Sequence, residues 1–256
     1  MELYFGKNGN SFKKYNLALD FHENTKHPIT INEFDPKTPY KIYPNTKAIP
    51  LEMNCLNSDN YYDSFLTTLM MRKSRRTFLT KPIDVNTLSR LLTLSFGARG
   101  NDNNPMFRTY ASAGARYPIE VYAIILKSNE IDLGIYHYNV FDNSLELLKR
   151  GNYSEKVYEF YSNQKQQVSM NFPCLILFSM VFKRSMDKYG EKGYRFALLD
   201  AGHMSQNLYL VSEYLKLGAV AFGGGAKNDN SLDEMLSLTG GEENAFYSFA
   251  VGHVSA

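Results

Sequence analysis

Arg72, Ser74 and Arg76 occupy alternate positions in Arg72-Lys73-Ser74-Arg75-Arg76, the most concentrated basic run in the chain. In an extended segment, positions i, i+2 and i+4 face one way. Two guanidinium groups and a hydroxyl would then converge, a donor set suited to a terminal phosphate. A solvated helix end uses the same residues. A second segment, Ala111-Ser112-Ala113-Gly114-Ala115-Arg116-Tyr117-Pro118, carries small side chains just before an apolar stretch. Small residues let a planar ring approach the backbone closely enough for its edge to hydrogen-bond N–H and C=O groups. An ordinary tight turn has the same composition. A third segment, Lys188-Tyr189-Gly190-Glu191-Lys192-Gly193-Tyr194-Arg195, sets an amine beside a phenol at the expected start of a helix. Taken alone, such a pair reads as exposed surface.

Other chemistries are excluded by spacing. Gly223-Gly224-Gly225-Ala226 lacks the GxGxxG order, and no Gly-Lys-Ser or Gly-Lys-Thr occurs, which disfavours dinucleotide and P-loop sites. His22, His27, His137, His203 and His253 form no HExxH pair and no zinc spacing with cysteine, so no protein metal site is expected. No GxSxG elbow surrounds a serine. A net charge of +2 from 28 basic and 26 acidic residues offers no field for nucleic acid or anionic lipid. The most apolar run, Cys174 to Phe182, is about half a membrane span. Cys55 and Cys174 lack CxxC spacing, and the first residues lack the basic-then-apolar order of a signal peptide, so a cytoplasmic protein is expected.

The elements that must position these residues follow from periodicity. Pro28, Pro36, Pro39, Pro44 and Pro50 break residues 1–60 into a lead-in arm, with one helix around Ser11 to Lys26. Residues 61–256 form the main domain. Phe65, Leu66, Leu69 and Met70 have helical spacing from Tyr61 to Lys73. A second helix fits Asp84 to Phe96, capped by Asp84 with Leu88, Leu91 and Leu92 inward. Strands are expected at Pro118 to Lys127, Gly134 to Tyr138, Ser144 to Leu148 and Cys174 to Phe182, with helices at Ser154 to Gln167 and Tyr194 to Lys216, the latter ended by Gly218. A strand, a short helix and a strand close the chain. This order is α+β rather than a doubly wound parallel sheet.

In order along the chain, Arg72-Lys73-Ser74-x-Arg76-x-Phe78, Ser112-Ala113-Gly114-Ala115-x-Tyr117-Pro118, Gly134-Ile135-Tyr136-x-Tyr138, Lys188-Tyr189-Gly190-Glu191 and Asp200-Ala201-Gly202-His203-x-x-Gln206-Asn207 resemble the SagB/ThcOx-type branch of the nitroreductase-like FMN flavoproteins. Phe21-His22-Glu23-x-Thr25-Lys26 and Lys41-x-Tyr43-Pro44 in the lead-in are also similar. The resemblance implies a small, mainly antiparallel central sheet flanked by helices, in an intertwined homodimer with FMN at the subunit interface. It implies that Arg72, Ser74 and Arg76 hold the phosphate and ribityl chain, with Lys73 adjacent. Ser112, Ala113 and Gly114 would border the flavin, and Gly223 and Gly224 match its flavin-side glycines.

Members of that branch oxidise thiazoline or oxazoline rings of ribosomally made peptides after a cyclodehydratase has formed them. Lys188 and Tyr189 match the pair their catalysis requires. The implied partners are a peptide substrate and a cyclodehydratase complex. Three departures stand out: Arg116 replaces a commonly apolar residue, His253 stands where a basic residue follows the last strand, and Phe222-Gly223-Gly224-Gly225 is more glycine-rich than usual. Two alternatives accompany this expectation, an NAD(P)H-driven reductase of nitro compounds, quinones or unsaturated peptide residues, and a flavin-less scaffold subunit of a peptide-modifying complex.

Overall fold

The computed structural model describes residues 41, 43, 45–51, 61–99, 107–161, 168–222, 229–238 and 243–255. The expected helix at Ser11 to Lys26 lies outside them. Strand β1 (Ala48–Pro50) is followed by helices α1 (Tyr61–Met71) and α2 (Val85–Phe96). Helix α2 starts where Asp84 accepts hydrogen bonds from the Thr87 N–H at 2.7 Å and the Thr87 hydroxyl at 2.8 Å. This satisfies a donor that a first helical turn leaves open. A short antiparallel pair, β2 (Ala98–Arg99) and β3 (Phe107–Arg108), leads to a single 3-10 turn at Ala113–Ala115. Then come β4 (Ile119–Ile125), β5 (Gly134–Asn139), β6 (Ser144–Arg150), α3 (Ser154–Phe160), β7 (Cys174–Val181), α4 (Phe182–Tyr189), α5 (Lys192–Tyr214), β8 (Leu217–Phe222), α6 (Asp229–Leu236) and β9 (Glu243–His253).

The main sheet has seven strands in the order β1-β6-β5-β4-β7-β9-β8, and each neighbouring pair runs antiparallel. The expected α+β class and flanked antiparallel sheet are what the chain forms. Strand alternation splits the apolar residues between two faces. Val121, Ala123, Ile125, Ile176 and Phe178 pack with Leu88, Leu91, Leu92 and Phe96 of α2 and Ala201, Met204 and Leu208 of α5. On the other face Tyr122, Ile124, Leu175 and Leu177 meet Val157, Tyr161, Phe172, Leu232 and Met235. Among the described residues no helix is long and apolar enough to cross a membrane.

Two local expectations change. Helix α5 ends at Tyr214, and Lys216 turns the chain at φ 59°, while Gly218 lies inside β8. A Cβ at Gly218 would strike Val254 Cγ1 and stand 3.0 Å from Arg75 Cβ, so close packing explains this glycine, not a helix stop. Lys188 and Tyr189 end α4 instead of beginning the long helix. Helix α1 forms as its spacing predicts, with its apolar residues largely exposed: Phe65 is 58% exposed, Leu66 61% and Met70 81%.

One end of the second face is polar. His137 Nε2 lies 2.8 Å from Glu120 and Nδ1 2.9 Å from Glu146, all three buried. Lys41 donates to Glu243 at 2.7 Å and to the Tyr122 hydroxyl at 2.6 Å, so the lead-in reaches this face. Burial favours neutral His137, but its hydrogen bonds to both carboxylates outweigh burial and raise its pKa above 6.5. Burial likewise opposes ionisation of the carboxylates, yet Arg184 and His137 hold Glu120, and His137 holds Glu146, below the usual range.

The imidazolium therefore contributes stability that is complete below about pH 6.5 and lost as pH rises through its raised value. The carboxylates give the opposite slope on the acid side. Thermal melting from about pH 6 to about pH 9 should show a falling midpoint, and His137→Gln should flatten that fall while lowering stability at the acid end of the range.

Candidate functional site

Helix α5 organises the site through residues spaced i, i+3 and i+7, which share one helical face. Asp200 is buried at the first of these positions; its carboxylate accepts from the Ser112 hydroxyl at 2.5 Å and the Ala113 N–H at 3.2 Å. Burial raises the Asp200 pKa, and these two donors oppose that rise. His203 donates from Nδ1 to the Ala111 carbonyl at 2.9 Å. Asn207 donates to the carbonyls of Thr109 at 3.1 Å and Ser95 at 3.3 Å. The Asp-Ala-Gly-His-x-x-Gln-Asn segment is thus a fastening face that holds residues 109–113 along the helix.

The loop so held is strained. Gly114, Ala115 and Tyr117 have φ of 58°, 53° and 47°, and a left-handed non-glycine residue costs roughly 1–2 kcal/mol. Several bonds impose this shape. Tyr117 N–H donates to Ser112 Oγ at 2.9 Å, its carbonyl accepts from Arg184 at 3.1 Å, and its hydroxyl accepts from Arg108 N–H at 3.2 Å. Arg116, the departure from the expected pattern, donates from Nε to the Arg184 carbonyl at 2.8 Å.

Against this loop stand the last two residues of α4. A Cβ built on Gly114 would contact the Tyr189 hydroxyl and lie 2.6 Å from Lys188 Nζ. Lys188 Nζ is also 5.2 Å from the Tyr189 ring centroid, and that ring packs edge-on to Phe196 at 5.0 Å. Two of the segments singled out in the sequence therefore meet, with an amine and a phenol over a backbone that has no side chain.

The basic segment follows α1 directly. Ser74 Oγ lies 3.3 Å from the Tyr209 hydroxyl, and the Arg72 guanidinium stands 5.5 Å from the Tyr209 ring centroid. Between them, Arg75 binds both oxygens of Glu213, at 2.7 Å and 3.1 Å, and its N–H reaches the Ala219 carbonyl at 3.0 Å. Lys73 and Arg76 are exposed. His253 has its ring near Lys81, Pro82 and Asp84, and its pKa is lowered by burial and by Lys81. Gly223 and Gly224 lie outside the described residues. Tyr209 had no sequence signal, because it falls beyond the Asp200–Asn207 motif. Glu120 and His137 were equally silent, being single polar residues in apolar strands.

Gly114→Ala should lower stability by roughly 1–2 kcal/mol, since it adds left-handed strain and presses on Lys188 and Tyr189. Gly202→Ala, where no atom lies within 4 Å, should leave stability unchanged or raise it by up to about 1 kcal/mol. Urea midpoints of the two variants measure both signs.

A family model described as the nitroreductase family matches residues 69–253. A Methanocaldococcus jannaschii protein named for that family is 29% identical over 170 residues, covering 66% of this chain and 82% of its own length. The microcin B17-processing protein McbC of Escherichia coli is 29% identical over 139 residues, covering 53% of this chain and 50% of McbC. The present chain thus spans about half of McbC in that alignment. A chain of the E. coli microcin synthetase McbBCD complex with truncated pro-MccB17 bound has the same fold, with a TM-score of 0.64 at 21% identity over 95% of this chain and 94% of that one. With the antiparallel sheet and the site described above in that matched span, the chain belongs to the nitroreductase family and is an oxidoreductase.

Proposed function

We propose that this protein is an FMN-dependent dehydrogenase that oxidises thiazoline or oxazoline rings of a ribosomally made peptide to thiazoles or oxazoles. The observation that carries this reading is the meeting of Lys188 Nζ and the Tyr189 hydroxyl at Gly114. Aromatising such a ring removes a hydride from one carbon and a proton from its neighbour, so a base must face the ring. Lys188 takes that proton, and Tyr189 orients the ring or relays the proton. FMN held by these residues would supply the two-electron acceptor for that oxidation, with dioxygen as final oxidant.

The residues present fit that cofactor. At Gly114 the missing Cβ lets the Tyr189 hydroxyl and Lys188 Nζ stand directly against the loop that would border the ring system. In this proposal Ser112, Ala113 and Gly114 border the ring system. Arg72, Ser74 and Arg76 hold the phosphate and ribityl chain, with Lys73 adjacent; Tyr209 already gathers Arg72 and Ser74. Gly223 and Gly224 lie on the flavin side, and His253 serves in place of a basic residue after the last strand. McbC is a processing protein by name, and the McbBCD structure contains a pro-peptide. Both support a peptide substrate and a cyclodehydratase complex as partner.

The exposed apolar face of α1, with Leu198 and Leu199 of the adjoining α5, supports a homodimer. Leu66→Glu with Met70→Glu should convert a dimer to a monomer in light-scattering chromatography; a wild-type monomer would overturn this part.

Purified protein should be yellow and release FMN on denaturation. With an azoline peptide, Lys188→Ala and Tyr189→Phe should keep the flavin, and Lys188→Ala should lose about 10²–10⁴-fold in ring oxidation. Unchanged turnover in both would remove the catalytic assignment. The M. jannaschii relative favours a second reading, an NAD(P)H-driven reductase. Anaerobic bleaching by NADPH with no oxidation of azoline peptides would select it.

A further inference from the structure

Lys188 and Tyr189 sit at the end of α4, a helix of only eight residues. Isolated helices shorter than about 12 residues are marginal in water, so this one owes its place to its contacts. Ser185 Oγ donates to the Gly193 carbonyl at 2.9 Å and ties α4 to α5. Two arginines add further polar ties among the described residues. Arg184, one turn before Lys188, pairs with Glu120 and donates to the Tyr117 carbonyl at 3.1 Å. Arg116 reaches the backbone carbonyl of Arg184 at 2.8 Å. One arginine thus carries α4 into the sheet, and the other fastens α4 to the loop that contains Gly114.

The anchor for this brace is Glu120 at the start of β4, 3% exposed. Behind it, His137 of β5 donates at 2.8 Å and turns its other nitrogen to Glu146 of β6 at 2.9 Å, which accepts in turn from Asn139 at 2.9 Å. Charges therefore alternate in sign from β6 through β5 and β4 to α4. Tyr43 and Tyr122 pack on His137 with centroids 5.0 and 5.4 Å away, and the Lys41–Glu243 pair adjoins Tyr122. An unpaired buried carboxylate is costly, so Glu120 holds Arg184 strongly. Both contacts leave a single Nη1, which stands one bond farther from the backbone than a lysine ammonium reaches, so lysine would serve them less well.

We propose that Arg184 and Arg116 are positioning residues, anchored on Glu120, that hold Lys188 and Tyr189 against Gly114. This rests on the reading of Lys188 and Tyr189 as the catalytic pair. A displacement of about 1 Å in a reacting group costs about 10²-fold in rate, which sets the expected size of the effect.

The test uses the full-length flavin-loaded protein and an azoline peptide, with Arg184→Gln, Arg184→Lys and Arg116→Leu made alone and in a Lys188→Ala background. Arg184→Gln should lower kcat by about 10²-fold, leave KM within about 3-fold and retain FMN. In the Lys188→Ala background the further loss should be far smaller than about 10²-fold, because only its action on Tyr189 remains. Hydrogen exchange of residues 183–190 should quicken by at least about 10-fold, while α2 and β7 keep their protection. If Arg184→Gln fails to fold because Glu120 is left with His137 alone, Arg184→Lys and Arg116→Leu carry the same expectations, with smaller losses in kcat.

Wild-type kcat together with wild-type exchange in α4 would overturn the proposal. So would losses that multiply in the Lys188→Ala background, which would mark the arginines as general supports of the fold. Full turnover by Lys188→Ala would instead defeat the catalytic-pair reading. In that case the exchange measurement alone decides whether the arginines hold α4.

Discussion

The Asp200 carboxylate, buried partway along α5, accepts from Ser112 and Ala113. A carboxylate removed from water needs such donors, and donors on an irregular loop need an acceptor that does not move. A long helix supplies it, since α5 packs its Ala197, Ala201, Met204 and Leu208 into the core beside the sheet. The loop thereby inherits the rigidity of the core. It can then hold left-handed conformations at Gly114, Ala115 and Tyr117 that a free loop would relax.

The two faces of the sheet do different work. The face toward α2 and α5 is apolar and gives α5 its place. The other face is apolar under α3 and α6 but charged around Glu120, His137 and Glu146. Buried charges of this kind add little net stability, because desolvation offsets their attraction. They do impose geometry, since each charge has a defined partner at a defined distance. Strand β4 belongs to both arrangements: Val121 and Ala123 enter the apolar core while Glu120 faces Arg184. The loop at Gly114 and the helix bearing Lys188 are consequently fastened to the same strand start, one through the chain and the other through a side chain.

Much of the fold was legible in local pattern. Asp84 before an apolar helical repeat predicted a cap, and Asp84 forms it. The branched and aromatic run after Pro118 predicted a buried strand, and each residue of β4 is buried. Where pattern misled, a tertiary contact had replaced the local cause. Gly218 looked like a helix stop because glycine commonly ends helices, but it serves close packing against Val254 and Arg75. The apolar spacing of α1 predicted its helix correctly, but spacing records amphipathicity and does not say what covers the face.

Residue types and their spacing determined the candidate chemistry on their own. The Arg72–Arg76 run, the small-residue segment before β4, the Lys188–Tyr189 pair and the periodicities of the main elements are properties of short stretches of chain. Only the tertiary structure decided which of these meet. Ser112 and Asp200 are 88 residues apart, and Arg116 and Arg184 are 68 apart. Nothing in either stretch specifies its partner. Strand register and the packing of α5 on the sheet bring them together, and that is why Tyr209, Glu120 and His137 entered the site only with the fold.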